Sequence, residues 1–297
     1  MESTISKCKI KAFWFEGQTL CHIFNGNYRP RIHLGVPQRF CVFLCVVKVI
    51  VIGSGNLAWN LIEVFEKSPD IQLIQVLGRS TENLEMLSCS CPTTTVWEDL
   101  MEADLYLLAV TDQAIKSLGH KALSKGLWAH CSGSVGLQEL PASIRRGVFY
   151  PLQSFTKGKR TSFSDLPIGI EAENEEDYHL LERLGSSLSQ TVFRMDSSQR
   201  RVLHLAAVFI NNFSNHMIAR AEDIATEAGI DARLLYPLLE ETLAKAKAIG
   251  AKQAQTGPAR RADQTTLDTH LDLLKTEDEK KLYQAISQSI AAYYKKG

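Results

Sequence analysis

The 297-residue chain is 45% hydrophobic and 22% charged, an ordinary globular composition with room for one large or two medium domains. Its 33 basic and 33 acidic side chains balance to zero formal charge, which removes the electrostatic case for a general nucleic-acid or polyanion binder. The only long apolar run near the N-terminus, Phe40–Val47, is far short of a membrane span before Lys48 interrupts it, so no membrane partner is expected.

Residues 1–45 differ from the rest. Up to Lys48 the chain carries seven Lys and Arg against only Glu2 and Glu16, and FWFEGQTLCHIFNGNYRPRIHLGVPQRF follows neither a helical nor a strand period. We expect a weakly ordered extension outside the fold; its basic, acid-poor composition also suits a transit peptide. The seven cysteines, at 8, 21, 41, 45, 89, 91 and 131, are odd in number and show no paired C-x-x-C elements with later ligands. That pattern argues against structural zinc and for reduced thiols in the cytoplasm, so no metal is expected.

From residue 46 strand and helix signals alternate. The β-branched run at 46–52 turns abruptly glycine-rich and then continues with helical spacing over 56–67. Gly53, Gly55 and Ala58 spell G-x-G-x-x-A at that junction. The first glycine permits a tight turn, the second lets a backbone approach a pyrophosphate, and the third small residue lets helix and strand pack. Unpaired N–H groups at the helix N-terminus then face the anion. Gly53, Ser54, Gly55, Asn56, Leu57 and Ala58 are therefore the expected dinucleotide cradle; a purely structural turn is the alternative.

The next strand, 71–77, indicates which dinucleotide. An NAD site usually places an acid at its end, for the ribose hydroxyls. Here Arg79 and Ser80 stand there without a carboxylate. Arginine offers a planar donor fork suited to a phosphate, so NADP(H) is the expected cofactor, and a solvated surface arginine the alternative. A helix is expected over 80–88 and another over 97–102.

The strand at 105–110 ends in AVTD, which places Val110, Thr111 and Asp112 beside the nicotinamide half of the cofactor; the alternative for Asp112, and the preferred one, is to cap the helix over 112–124. The strand at 127–131 runs into AHCSGS, where His130, Ser132 and Ser134 reach the same carboxyl edge as candidate substrate ligands, or else form a polar turn serving its own backbone. It is not G-x-S-x-G, so no serine hydrolase elbow is supported. Cys131 is not expected to act as a thiol nucleophile, because neighbours on a strand point to opposite faces. A helix over 136–144 and strands at 147–150, 166–172 and 191–195 complete a doubly wound, Rossmann-type α/β sheet domain spanning 46–195, with a helix between the last two strands.

An all-helical domain is expected over 196–297. Asp196 and Gln199 make a capping box, the helix they open runs to about Ala228, and Gly229 stops it. Asp231 opens a second helix, with Pro237 in its second turn, that ends before TGP at 256–258; TEDE at 276–279 caps a terminal one. Taking His204 as zero on the first helix, Asn211 falls near about −20° and Asn215 near about +20°, with Asn212 near about 80°. This polar stripe on an apolar helix is either substrate-facing or a set of satisfied core groups, since burial without partners costs about 1–3 kcal/mol each.

Taken as an ordered set, VIGSGNLAWNL, GRS, HCSGS, GVFYPLQSF, NNFSNH and TGPARRAD resemble a bacterial family with a Rossmann-like domain followed by a helical domain of unknown function, over about 46–275. Such proteins are often described as NADP oxidoreductases of the deazaflavin-dependent type. The resemblance implies kinship with β-hydroxyacid dehydrogenases and pyrroline-5-carboxylate reductases, and homodimers formed through the helical domain. β-Hydroxyacid dehydrogenases use a helix lysine as acid/base, with an asparagine one turn later; here the comparable stretch has His204, with Arg200 and Arg201 as the nearest cations. Histidine titrates near neutrality and can protonate a carbonyl or imine as hydride arrives.

The leading expectation is an NADP(H)-dependent oxidoreductase acting on a small carbonyl, imine or related acceptor, with His204 as acid/base and Asn211, Asn215 and Ser132 orienting substrate. The competing one is an NADP-binding sensor or scaffold without turnover.

Overall fold

In the computed structural model, which describes residues 46–122 and 125–295, β1 (Val47–Ile52), α1 (Asn56–Lys67) and β2 (Ile71–Leu77) form the opening βαβ unit. There follow α2 (Thr81–Glu85), β3 (Thr93–Thr94), β4 (Leu105–Leu108), α3 (Asp112–Gly119), β5 (Leu127–His130), β6 (Arg145–Pro151), β7 (Ile168–Ala172), α4 (Glu175–Ser186) and β8 (Val192–Arg194). The eight strands lie in the order β3-β2-β1-β4-β5-β6-β7-β8. All pairs are parallel except β6–β7, which is antiparallel. Residues 152–167 contain no helix, and a parallel return needs a crossover element.

The apolar runs of β1, β4 and β5 are buried on both faces, as central parallel strands must be. Val49, Val51, Leu105, Leu107, Leu127 and Ala129 face α1 and α4, through Leu61, Ile62, Phe65, Leu181 and Leu184. Ile50, Ile52, Tyr106, Leu108 and Trp128 face the other way, onto Ile115 of α3 and Leu140. Each buried Val, Leu, Ile or Phe among them stabilises the fold by about 1.5–3 kcal/mol relative to exposure. Tyr106 and Trp128 stack at 4.3 Å between centroids, and the Tyr106 hydroxyl donates to the Met101 carbonyl at 2.9 Å, so its polar tip is satisfied.

Several expected elements are shorter than their sequence windows. The 97–102 and 136–144 windows hold only 3-10 turns, Trp97–Asp99 and Leu137–Glu139; Pro141 cannot continue a helix of the second window. The 112–124 window ends as helix at Gly119, and its last two residues lie outside those described, as does the whole 1–45 extension with four of the cysteines. β3 has two residues, too few to show a period.

After β8 the described residues contain no further strand. α5 (Ser197–Ala207) opens on the expected Asp196/Gln199 capping box. A π-helix follows over Val208–Phe213, then α6 (Ser214–Glu227), and Gly229 adopts φ +72° after its end. The π segment overturns the stripe geometry. Its wider i→i+5 turn advances the chain by fewer degrees per residue, so angles reckoned on continuous α geometry do not carry from His204 to the asparagines. Asn211, Asn212 and Asn215 are all exposed, so no burial cost arises.

The chain divides into two compact units meeting at Ser214 and Asn215, so α5 belongs with the sheet. In the second unit a 3-10 turn (Ala232–Leu235) precedes α7 (Tyr236–Ile249), where Pro237 sits harmlessly in the first turn. Gly250, at φ +84°, separates α7 from α8 (Ala251–Ala254). α9 (Pro258–Arg261), α10 (Gln264–Leu273) and α11 (Glu277–Tyr294) complete the unit, with the Thr276/Glu279 capping box present. Its helices line an open pocket of about 350 Å³ walled by Met217, Ile224, Leu282, Ile286 and Ile290 beside an Arg220–Glu279 ion pair. No helix among the described residues is long and apolar enough to cross a membrane.

Candidate active site at the carboxyl edge of the sheet

β1 lies between β2 and β4, so the connections leave it in opposite directions. That switch point opens a crevice at the carboxyl ends of β1 and β4, where open α/β sheets take their ligands. Gly53 occupies it at φ +132°, a backbone that side chains rarely adopt. Its N–H donates to the Leu77 carbonyl at 2.8 Å, and a Cβ there would stand 2.2 Å from the Ala109 carbonyl oxygen. Here glycine is required by backbone packing.

Among the described residues nothing requires Gly55 to be glycine. It is the N-cap residue of α1 with ordinary φ −83°, and a Cβ on it would meet no atom within 4 Å. Its freedom fits close approach by something else. The first turn of α1 has neither a side-chain cap nor an acidic residue, so its N–H groups and positive dipole end are unmasked. Ala58 is fully buried against the core, and the Trp59 N–H returns to the Gly55 carbonyl at 3.0 Å. Ser54 and Leu57 are half-buried, and Asn56 is exposed. Cradle and open space together fit a pyrophosphate.

Arg79 follows β2, exposed and without an ion pair among the described residues. Ser80 caps α2, its hydroxyl oxygen accepting the Asn83 N–H at 3.4 Å, which leaves its O–H as a donor. After β4, Val110 is half-buried and Thr111 exposed. Thr111, not Asp112, is the N-cap of α3. Asp112 is the first helical residue and accepts a short hydrogen bond from the Ser134 hydroxyl, tying the β4 and β5 loops together.

The β5 loop is knitted to itself. Ser132 is 8% exposed, and its hydroxyl oxygen accepts the N–H groups of Ser134 at 3.1 Å and Val135 at 3.0 Å. His130 is fully buried, and its Nδ1 accepts the Ser132 N–H at 3.2 Å. Burial first, then the nearby Arg200 charge, push its pKa down to about 4, against a weaker upward pull from the Gly136 backbone. It is a neutral strut under the loop. Cys131 is buried, which pushes its thiol pKa up and keeps it protonated, so it offers no thiolate nucleophile.

α5 packs over this loop. Arg200, fully buried, makes a short ion pair with Glu171 of β7 and donates to the Val135 carbonyl at 2.6 Å and to the Ser197 hydroxyl oxygen at 3.1 Å. Ser197 in turn donates to Glu171 at 2.9 Å and accepts the Leu137 N–H at 2.9 Å. One turn on, His204 is half-buried, with Nδ1 at 3.2 Å from the Tyr150 hydroxyl. Tyr150 stands at the carboxyl end of β6 and is 7% exposed; burial raises its pKa and Arg200 opposes the rise.

The structure therefore brings Ser132 and His204 to one loop cluster. Asn211 lies further along in the π segment, and Asn215 belongs to the second unit. Sequence reasoning missed Tyr150, whose one signal was an aromatic hydroxyl beside Pro151 at the end of a strand. Among the described residues no group of three or more His, Cys, Asp or Glu is placed to hold a metal.

Residues 166–290 match a family described as a domain of unknown function, DUF2520. The fold resembles the crystal structure of a "putative NADP oxidoreductase" from Bacteroides fragilis, with 33% identity, a TM-score of 0.77, and coverage of 83% of this chain and 98% of that one. It also resembles a pyrroline-5-carboxylate reductase from Coxiella burnetii, with 17% identity, a TM-score of 0.50, and coverage of 84% and 98%. A Myxococcus stipitatus imine reductase variant in complex with NAD+ gives 15% identity, a TM-score of 0.54, and coverage of 84% and 94%. The last two likenesses are of fold alone. No curated protein matches the chain.

Proposed function

We infer the activity from one premise: the chain, whose residues 166–290 match DUF2520, belongs to the family of the Bacteroides fragilis protein. On that premise it is an NADP(H)-dependent oxidoreductase that transfers hydride between the nicotinamide and a small carbonyl, imine or related acceptor. The names of its structural relatives, a "putative NADP oxidoreductase", a pyrroline-5-carboxylate reductase and an imine reductase, support that range. The observation that carries the reading is Gly55, a cradle glycine with open space where its Cβ would be, at the switch point of the sheet and on the same carboxyl edge as His204.

The NADP pyrophosphate is held by the Gly53–Ala58 turn and the N–H groups of α1, and its 2′-phosphate by Arg79 with the Ser80 O–H. Val110 and Thr111 line the nicotinamide side. When bound, the nicotinamide supplies or accepts the hydride. His204 gives or takes the accompanying proton at the substrate heteroatom. Ser132 shapes the loop beneath it; its O–H points to the Ser134 hydroxyl oxygen at 3.4 Å and serves a substrate by exchanging that long contact for a closer one. Asn211 and Asn215 are carried as substrate ligands to be tested by single alanine variants.

A homodimer fits the exposed apolar row Val202, Leu205, Phe209, Ile210 and Phe213 along α5 and the π segment, since soluble monomers rarely leave such a row uncovered. Sedimentation of the full chain tests it.

The first experiment titrates the protein with NADPH and with NADH, then repeats both with Arg79→Ala. The expected result is tight NADPH binding that the variant loses. Equal binding of both, indifferent to Arg79, refutes the phosphate assignment, and no binding at all removes the enzyme reading. Hydride acceptors, a deazaflavin among them, are then screened with His204→Ala as the catalytic control.

A further inference from the structure

Among the described residues His204 is held on one edge. The Tyr150 hydroxyl lies 3.2 Å from Nδ1, and the two rings meet edge to face at 6.3 Å between centroids. Beneath the same edge the chain has no side chain at Gly133, where a Cβ would stand 2.5 Å from Nδ1 and 2.7 Å from Cγ. Nδ1 is thus enclosed between a phenol and a glycine backbone, and Nε2 is the nitrogen left for a ligand. Arg200, one turn earlier on α5, is committed to Glu171, Val135 and Ser197, so it does not compete for the imidazole.

Tautomer decides what Nε2 can do. A neutral imidazole carries its proton on one nitrogen and a lone pair on the other. Only when the proton sits on Nδ1 can Nε2 take up a proton as a base and return it as an imidazolium acid. The hydroxyl oxygen of Tyr150 is an acceptor for Nδ1–H, and the orientation survives protonation because imidazolium also carries Nδ1–H.

We propose that Tyr150 is the positioning residue of His204: its hydroxyl oxygen accepts Nδ1–H, and proton exchange with the substrate runs through Nε2. The substrate step rests on the oxidoreductase reading above; the hydrogen bond and the tautomer do not. In the reducing direction the hydride brings two electrons to the carbon, the π pair of the C=O or C=N bond moves to the heteroatom, and that atom takes the Nε2 proton. The ring is left neutral with its Nδ1–H still on Tyr150. Oxidation runs the same steps in reverse.

The test uses the full chain with ¹⁵N-labelled histidine, measured above the usual histidine titration range, with the His204 signals assigned by their loss in His204→Gln. The expected pattern is Nδ1–H in the wild type and a shift toward Nε2–H in Tyr150→Phe, which keeps the ring that packs but removes the acceptor. In turnover, kcat of Tyr150→Phe is expected to fall by about tenfold or more, with the KM for NADPH unchanged. Gly133→Ala, which pushes the imidazole off its seat, is expected to lower kcat in the same way while binding NADPH normally. Nε2–H in the wild type, or a tautomer that Tyr150→Phe leaves unchanged, overturns the assignment whatever the activity. A shifted tautomer with no turnover in the wild type supports the assignment and removes the oxidoreductase reading alone.

Discussion

Gly53 and Ala109 meet backbone to backbone: a Cβ on Gly53 would stand 2.2 Å from the Ala109 carbonyl oxygen. The contact locks the end of β1 to the end of β4 at the point where the sheet reverses its winding. Because neither partner is a flexible side chain, no rotamer change relieves a substitution there.

Gly53→Ala is therefore expected to damage fold and site together. The left-handed φ alone costs on the order of 1–3 kcal/mol, and the clash forces the strand ends apart. Thermal unfolding should report a clear loss of stability, and NADPH titration a loss of binding. A variant as stable as the wild type would mean that the junction is looser than this contact implies.

Gly55→Ala separates the two roles. Its φ is ordinary and its Cβ would meet no protein atom, so the stability cost should stay within about 1 kcal/mol, that of alanine at an N-cap. NADPH affinity should nevertheless fall by at least about tenfold, or roughly 1.4 kcal/mol, because the methyl occupies the space assigned to the pyrophosphate. Unchanged affinity by titration calorimetry would remove the phosphate from this turn.

Arg200 and Glu171 are a buried pair at the root of α5. Arg200→Met leaves Glu171, only 14% exposed at its side chain, without its cation, and should cost about 3–5 kcal/mol in urea unfolding. Adding Glu171→Gln should recover part of that loss, since the stranded charge, not the missing attraction, dominates the cost. A double variant as unstable as the two single losses summed would show that the groups are not coupled.

His130 makes stability fall on acidification. Its folded pKa of about 4 lies below the usual 6.5, so between those values the unfolded chain binds a proton that the folded one refuses. The stabilising contribution is whole above about pH 6.5 and fades as pH falls toward about 4, with a full span of about 3 kcal/mol. Urea midpoints measured across that range should show the slope in the wild type and a flatter one in His130→Gln. Protonation would also destroy the bond in which Nδ1 accepts the Ser132 N–H.

What could be read from the chain alone was local. The glycine turn, α1 at 56–67 and β2 at 71–77 coincide with their sequence windows, because β-branched runs, glycines and 3.6-residue spacing act over a few neighbours. The Asp196/Gln199 and Thr276/Glu279 capping boxes were legible for the same reason, each being closed within four residues. The open Gly55 and the crowded Gly53 look alike in sequence. Only the fold distinguishes them, since one faces empty space and the other a strand more than fifty residues away. Tyr150 meeting His204, and Arg200 meeting Glu171, are likewise matters of tertiary structure: the partners lie 54 and 29 positions apart. No period or spacing encodes which strand end a helix will cross. The π segment at Val208–Phe213 has no local signature either; it re-aims the asparagines of a helix whose composition reads as plain α. Propensity set the elements, and packing among distant parts of the chain decided which of their polar groups share a site.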